Sequence, residues 1–216
     1  MMPADAGLVL DRVRIAIGAK ELIPSFDIAI APGELVTLMG PSGCGKSTLL
    51  AYIAGTLEPV FVADGRVAID GDDVTNLAPE RRRIGILFQD DLLFPHLSVG
   101  DNLAFALPPS LRGRDARHAA IARALDEAEL PHFADRDPAT LSGGERARVA
   151  LMRTLLSAPR VLLLDEPFNK LDAQLRQDFR RFVFEHAAER GLPTLLVTHD
   201  AADAEAADGR VIVLGA

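Results

Sequence analysis

Gly40-Pro41-Ser42-Gly43-Cys44-Gly45-Lys46-Ser47 completes a G-x-x-x-x-G-K-[ST] pattern, and the residues on either side of it decide the fold. Ahead of it, Glu34-Leu35-Val36-Thr37-Leu38-Met39 is an apolar run that reads as a buried strand. Behind it, Thr48-Leu49-Leu50-Ala51-Tyr52-Ile53-Ala54 reads as a buried helix. Strand, loop and helix in this order are the context that a phosphate-binding loop requires. The glycines let backbone N–H groups turn inward around phosphate oxygens, and the helix N-terminus adds the positive end of its dipole. Lys46 is the candidate for the outer phosphates and the Ser47 hydroxyl for a magnesium position, with Thr48 the next residue along the loop. Lysine occurs only at positions 20, 46 and 170, so its presence in this slot is informative. A nucleoside triphosphate is the predicted ligand of residues 40–48.

Outward from the loop, strand-like and helix-like segments alternate, the pattern of an α/β protein. Leu8–Ile17 and Phe26–Ile30 read as strands, with a Pro32-Gly33 turn before the strand that enters the loop; Arg66–Ile69 and Ile84–Phe88 are further strands. Helical periodicity runs through Val99–Leu107, Asp115–Glu129 and Glu145–Leu156, broken by Pro108-Pro109 and Pro131. Strands return at Val161–Leu164, Thr194–Val197 and Val211–Leu214, with helices at Phe179–Ala188 and Ala201–Ala207. The predicted organisation is one domain over 1–216: a nucleotide-binding α/β core of 1–89 and 159–216, interrupted by a helical insert, 90–158.

Composition narrows the function. Hydrophobic residues are 49% and charged residues 25%, the balance of an ordinary soluble globular protein with a sizeable core. Met1–Gly7 lacks the basic region and apolar core of a signal peptide, and no stretch approaches the ~20 apolar residues that span a bilayer. A membrane role would have to be borrowed from a partner. The single cysteine, Cys44, excludes an internal disulfide and fits a reducing cytoplasm. A net charge of −8 argues against a nucleic-acid surface. Arg81-Arg82-Arg83, the one dense basic run, reads as a solvated turn before a strand.

Val161-Leu162-Leu163-Leu164-Asp165-Glu166 is an apolar strand ending in two carboxylates. With its C-terminal end beside the phosphate loop, Asp165 would face a magnesium shell and Glu166 would orient or deprotonate an attacking water. The same acids could instead cap the turn that follows. Leu141-Ser142-Gly143-Gly144-Glu145 opens a helix and also reads two ways, as an anion-binding nest or as an N-cap serine with Glu in the first turn. Cys44 is either a reactive thiol at a helix N-terminus or a small residue tolerated at a variable loop position.

In this order the motifs resemble the ATP-binding cassette (ABC) ATPases over nearly the whole chain. Leu141–Glu145 is similar to that family's signature motif, Gln89 to its Q-loop glutamine, Asn169-Lys170-Leu171-Asp172 to its D-loop and His199 to its switch histidine. The resemblance implies a P-loop NTPase core, a RecA-like sheet with an antiparallel β-subdomain, plus an inserted helical subdomain. It implies ATP and Mg2+, with Ser47, Gln89 and Asp165 facing the metal. It further implies two copies paired head to tail, with ATP between one phosphate loop and the other's signature motif. Ser142, Gly143, Gly144 and Glu145 then meet the nucleotide of the opposite copy, and Asp172 lies in the D-loop that reaches across. Gln89 senses magnesium and the attacking water, and His199 holds the γ-phosphate. The chain departs from the family in three places. Glu145 stands where glutamine is commonest, and Lys170 where a small or polar residue is usual. Ile17 falls at the register where an aromatic usually stacks on adenine.

ATP hydrolysis names no cargo. Asp90–Val99 places Leu92, Leu93, Phe94 and Leu97 just after Gln89. These side chains pack inside the helical insert or, as the resemblance implies, border a groove for a coupling helix of a membrane subunit. Leu93-Phe94-Pro95-His96-Leu97-Ser98-Val99 looks most like ATP-binding subunits of bacterial importers, among them short cassettes for thiamine-like, metal or small-anion uptake. The implied partners are integral-membrane permease subunits, a second copy of the chain and a solute-binding protein, at the cytoplasmic face of the inner membrane. The chain stops about 17 residues past His199, so no fused regulatory domain is expected. The alternatives are a cassette of an exporter or lipoprotein-extraction complex, which shares every ATP motif, and a soluble ABC ATPase without a membrane partner.

Overall fold

A computed structural model describes residues 7–215. Residues 1–6, most of the stretch read for a leader signal, and residue 216 lie outside the described part. The strands are β1 (Leu8–Ile17), β2 (Lys20–Ile30), β3 (Leu35–Met39), β4 (Phe61–Ile69), β5 (Asp72–Asp73), β6 (Ile84–Phe88), β7 (Val161–Asp165), β8 (Thr194–Val197) and β9 (Arg210–Val213). The helices are α1 (Lys46–Ala54), α2 (Pro79–Arg82), α3 (Val99–Ala106), α4 (Arg114–Glu127), α5 (Gly143–Leu156), α6 (Ala173–Glu189) and α7 (Ala201–Ala206), with one 3-10 turn at Pro138–Thr140. The described chain divides into two compact units. One comprises the residues up to Ile86, Arg160–Glu166 and the part from Phe184 onward; the other comprises Leu87–Pro159 and Pro167–Val183.

The first unit contains a parallel sheet in the order β6-β7-β8-β3-β9, with parallel ladders through β7, β8, β3 and β9. Val161–Leu164 and all of β8 are buried, which is why these strands read as unbroken apolar runs: a central parallel strand is covered on both faces. An antiparallel sheet in the order β2-β1-β4-β5 completes the unit. Here strands alternate, but β1 changes phase. Leu8 and Leu10 point inward, and then Val13 and Ile15 do. The register shifts between them, where Arg12 takes φ +50° and its N–H donates to Asp27 Oδ1 at 2.8 Å. This bulge keeps Leu8, Leu10, Val13 and Ile15 all on the core face. The fold is therefore the mixed α/β architecture expected.

The strands β2 and β4 extend further than Phe26–Ile30 and Arg66–Ile69. In β2 the extra residues begin with Lys20 and Glu21 and are broken by Pro24, and in β4 Asp64 and Gly65 separate the apolar Phe61–Ala63 from the inner end of the strand. Pro24 is tolerated because β2 lies at the sheet edge. Similarly, α6 begins at Ala173 rather than Phe179, because its first turns are mostly polar.

The Arg81–Arg83 run departs from its expected role. Arg81 and Arg83 are exposed, but Arg82 closes the short helix α2 and is only 5% exposed. Its guanidinium donates to Leu77 O at 2.9 Å, Thr75 O at 2.6 Å, Tyr52 O at 2.9 Å and Ile53 O at 2.7 Å. Tyr52 and Ile53 belong to the last turn of α1, where carbonyls run short of intrahelical partners; Tyr52 O also accepts from the C-cap Gly55 N at 3.2 Å. A buried cation thus closes the far end of the helix that starts at the phosphate loop.

In the second unit, Ser98 caps α3 by accepting from Asp101 N. The buried Asn102 of the same helix clasps the preceding segment: it accepts from Phe94 N and donates to the carbonyls of Phe94, Leu97 and Ser98. Arg153 of α5 donates to the carbonyls of Asp91 and Leu92, and Arg146 pairs with Asp91 at 3.0 Å. Main-chain atoms of residues 91–98 are thereby fixed from two helices.

Candidate nucleotide site

The phosphate loop leaves β3 at Met39 and enters α1 at Lys46. Gly45 is the N-cap, with φ +100°, so a larger residue there would be strained. Lys46 is 6% exposed, and its Nζ donates to Gly40 O at 2.7 Å and Pro41 O at 3.0 Å. The ammonium is therefore buried inside its own loop against two main-chain carbonyls. Pro41, Ser42 and Gly43 are exposed at the loop's tip, and Thr48 is half-buried in the first turn of α1. Cys44 Sγ lies 4.0 Å from Nζ and would be 2.9 Å from any side-chain carbon at Gly40. The thiol is half-buried.

At the C-terminal end of β7, Asp165 Oδ1 accepts from the Ser47 hydroxyl at 3.2 Å. Residues 118 positions apart thus meet, because β7 lies in the sheet against which α1 packs. Burial pushes the Asp165 carboxyl above its ordinary range; the Ser47 hydrogen bond opposes this, the charge of Glu166 adds to it and Lys46 opposes it. A hydroxyl and a half-buried carboxylate are hard oxygen donors suited to a magnesium ion that also takes phosphate oxygens. The next residue, Glu166, sits at φ +49°, a conformation costly for a non-glycine residue, and its N–H donates to Val197 O at 2.9 Å. Its Oε1 lies 3.3 Å from His199 Nδ1. The acids do more than cap a turn, since each faces a partner from another element.

Gln89, Ser142–Glu145 and Asp172 all belong to the second unit. Gln89 is exposed just beyond β6. Ser142 caps α5: its hydroxyl accepts from Glu145 N at 3.3 Å, and the Glu145 carboxylate accepts from Ser142 N at 2.7 Å. That backbone hydrogen bond holds the Glu145 carboxyl below its usual range. Gly144 is buried, and a side chain there would come within 2.5 Å of Leu175. Asp172 Oδ1 accepts from Leu175 N at 3.0 Å. Lys170 pairs with Asp90, beside Gln89. After Gln89, Phe94 packs edge-on with Phe105 at 4.9 Å between ring centroids, and the Arg153 guanidinium lies 5.4 Å from the Phe94 ring centroid. Leu92 is 57% exposed and Phe105 70%, so this apolar segment is only partly packed within the unit.

The residues that the sequence reading missed are Arg82, Asn102 and Asp203. Their partners are largely main-chain carbonyls or a neighbouring hydroxyl, which no side-chain motif announces. Only Asp203 had a legible signal, an acid three residues after the N-cap Asp200. No helix among the described residues is long and apolar enough to cross a membrane.

Residues 24–169 match the ABC transporter family. The chain is 45% identical to YnjD of Escherichia coli, an uncharacterized ABC transporter ATP-binding protein, over 92% of this chain and 91% of that one. It is 42% identical to the Fe(3+) ions import ATP-binding protein FbpC 1 of Haemophilus influenzae, over 96% of this chain but 62% of that protein. The sulfate/thiosulfate import ATP-binding protein CysA of Methylococcus capsulatus is 44% identical, over 93% and 58%. The chain thus spans nearly all of one relative and about three-fifths of the others. Phosphate loop, acidic strand and sequence likeness converge: the chain belongs to the ABC transporter family, whose ATP-binding subunits are ATPases, and it is one of those subunits.

Proposed function

We propose that this chain powers a bacterial importer, binding and hydrolysing ATP and passing the resulting movement to separate membrane subunits. The observation that carries the proposal is the pair of contacts at the strand ends: Ser47 with Asp165, and Glu166 with His199. In this reading Gly40–Thr48 cradle the phosphates and Lys46 neutralises them, exchanging its loop carbonyls for phosphate oxygens. Ser47, Asp165 and Gln89 hold Mg2+, which neutralises charge on the phosphate oxygens when bound. Glu166 takes the proton of the attacking water, and His199 holds the γ-phosphate. Residues 1–89 and 159–216 form the nucleotide-binding core, and 90–158 form the helical part.

A second copy of the chain supplies the other half of the site. Ser142 is suited to this role, because its oxygen accepts within its own helix and its proton is left to donate to phosphate. Gly143, Gly144 and Glu145 begin the same helix, and Asp172 lies on the contact between copies. Permease subunits dock on the partly packed segment after Gln89, with a solute-binding protein completing the assembly at the cytoplasmic face of the inner membrane. The net charge of −8 gives no reason to add a nucleic acid. Relatives of similar identity are named for import of ferric ion, sulfate or spermidine, which favours import over the exporter and soluble readings. Their cargoes differ, so likeness of this order follows the motor and not the substrate.

The test is light scattering of Glu166→Gln on size exclusion, with and without ATP. The expected result is an ATP-dependent shift from monomer to dimer, followed by co-purification with a tagged permease. ATP binding without dimerisation, in the isolated chain and with the permease alike, would overturn the paired mechanism.

A further inference from the structure

Thr198 and Asp203 are both fully buried, at the end of β8 and in the first turn of α7, on either side of the exposed His199. Thr198 N donates to Leu38 O at 3.3 Å, tying the end of β8 to β3. The Thr198 hydroxyl donates to Asp203 Oδ2 at 3.1 Å and accepts from Asp200 N at 3.1 Å. Asp203 N in turn donates to Asp200 O at 3.2 Å, and Asp200 caps the helix by accepting from Ala202 N at 2.8 Å. The three-residue turn that presents His199 is therefore closed by one hydroxyl, which bonds to residues beyond it on the chain. Burying a carboxylate and a hydroxyl is costly unless they satisfy each other, and an apolar pair would fill the same space without that cost.

We propose that Asp203 is a positioning residue for His199: by accepting from the Thr198 hydroxyl it fixes the turn Thr198-His199-Asp200 and so the approach of the imidazole to Glu166. A free hydroxyl rotates. With its proton committed to Asp203, the Thr198 oxygen presents a lone pair to Asp200 N–H, and the turn has one geometry. The other end of the contact is fixed independently, since Glu166 N donates to Val197 O at 2.9 Å, one residue before Thr198. The imidazole and the carboxylate are thus hung from neighbouring points, 3.3 Å apart at Nδ1 and Oε1. This inference rests on the role given above to His199.

The experiment measures steady-state ATP hydrolysis and melting temperature for His199→Ala, Asp203→Ala, Asp203→Asn, Thr198→Val and Thr198→Ser in the full chain. Asp203→Ala and Thr198→Val are expected to lower kcat about tenfold while KM for ATP stays within about twofold, because only alignment is lost. Thr198→Ser keeps the hydroxyl and Asp203→Asn keeps a carbonyl acceptor, so both recover most of the rate. Added to His199→Ala, Asp203→Ala should lower the rate no further; a merely structural role would lower it again. Thr198→Val carries the test if Asp203→Ala does not fold. Full kcat in Asp203→Ala and Thr198→Val beside a measurably slowed His199→Ala would overturn this inference alone. Full activity in His199→Ala would overturn the role of His199, and this inference with it.

Discussion

Replacing Arg82 should weaken the phosphate-loop helix from its far end. In Arg82→Met the length of the stem is kept, and the guanidinium is removed from four carbonyls. The bonds to Tyr52 O and Ile53 O are buried, whereas those to Leu77 O and Thr75 O are only part-buried, where water can replace the donor. An orphaned buried acceptor costs about 1–3 kcal/mol, and since Tyr52 O keeps its bond from Gly55 N, Ile53 O is the one orphaned outright. Losing the charge-assisted bonds to the other carbonyls adds to this and removing a desolvated cation offsets part of it, which leaves a net loss of about 2 kcal/mol. For a domain of this size that is a fall in melting temperature of roughly 4–8 °C. Arg82→Lys carries a compact ammonium that cannot reach all four carbonyls at once, so its loss should be intermediate. Thermal and urea unfolding of the three proteins, without nucleotide, checks the magnitude. ATP affinity measured well below the melting range should change little, because Arg82 sits at the opposite end of α1 from Lys46. A melting temperature for Arg82→Met within about 2 °C of wild type would show that those carbonyls are satisfied in some other way, and the reasoning would be wrong.

Two further changes test the site's electrostatics. The Asp165 carboxyl is raised above its ordinary range chiefly by burial, so its charged form destabilises the nucleotide-free fold. That cost is absent below the unfolded value of about 3.9 and sets in as pH rises toward the folded value. Asp165→Asn should therefore melt higher than wild type at pH 7 and no higher near pH 4, while magnesium-dependent hydrolysis is lost; a lower melting point at pH 7 would refute the sign. Glu145 is the opposite case, its carboxyl lowered chiefly by the Ser142 backbone hydrogen bond. Its contribution is present above the unfolded value of about 4.3 and disappears as pH falls through the folded value. Glu145→Ala should cost about 0.5–1 kcal/mol at pH 7 and Glu145→Gln less, with the gap between Glu145→Gln and wild type closing in acid; chemical denaturation at a series of pH values reads both.

What was legible in the chain depended on whether side chains or main chain carry the interaction. The phosphate loop was legible because its glycines, Lys46 and Ser47 are each demanded by the backbone or by an anion, and Asp165 followed once β7 was placed in the same sheet. Arg82 was not, since a guanidinium bonded to four carbonyls looks in sequence like any other arginine of a basic run. The extra length of β2 was hidden behind Lys20, Glu21 and Pro24, and that of β4 behind Asp64 and Gly65, which cut its apolar residues in two. Ser142-Gly143-Gly144-Glu145 shows why one motif gave two readings. The N-cap reading holds, since Ser142 and Glu145 close a reciprocal cap. Yet the cap satisfies the N–H groups of residues 142 and 145, and those of Gly143 and Gly144, at the first two helical positions, have no intrahelical acceptor. A well-made cap is thus what leaves a pair of donors and a serine proton together at the positive end of α5. The structural reading and the anion-binding reading describe the same four residues, and Glu145, where the family usually has glutamine, serves the first without removing a donor from the second.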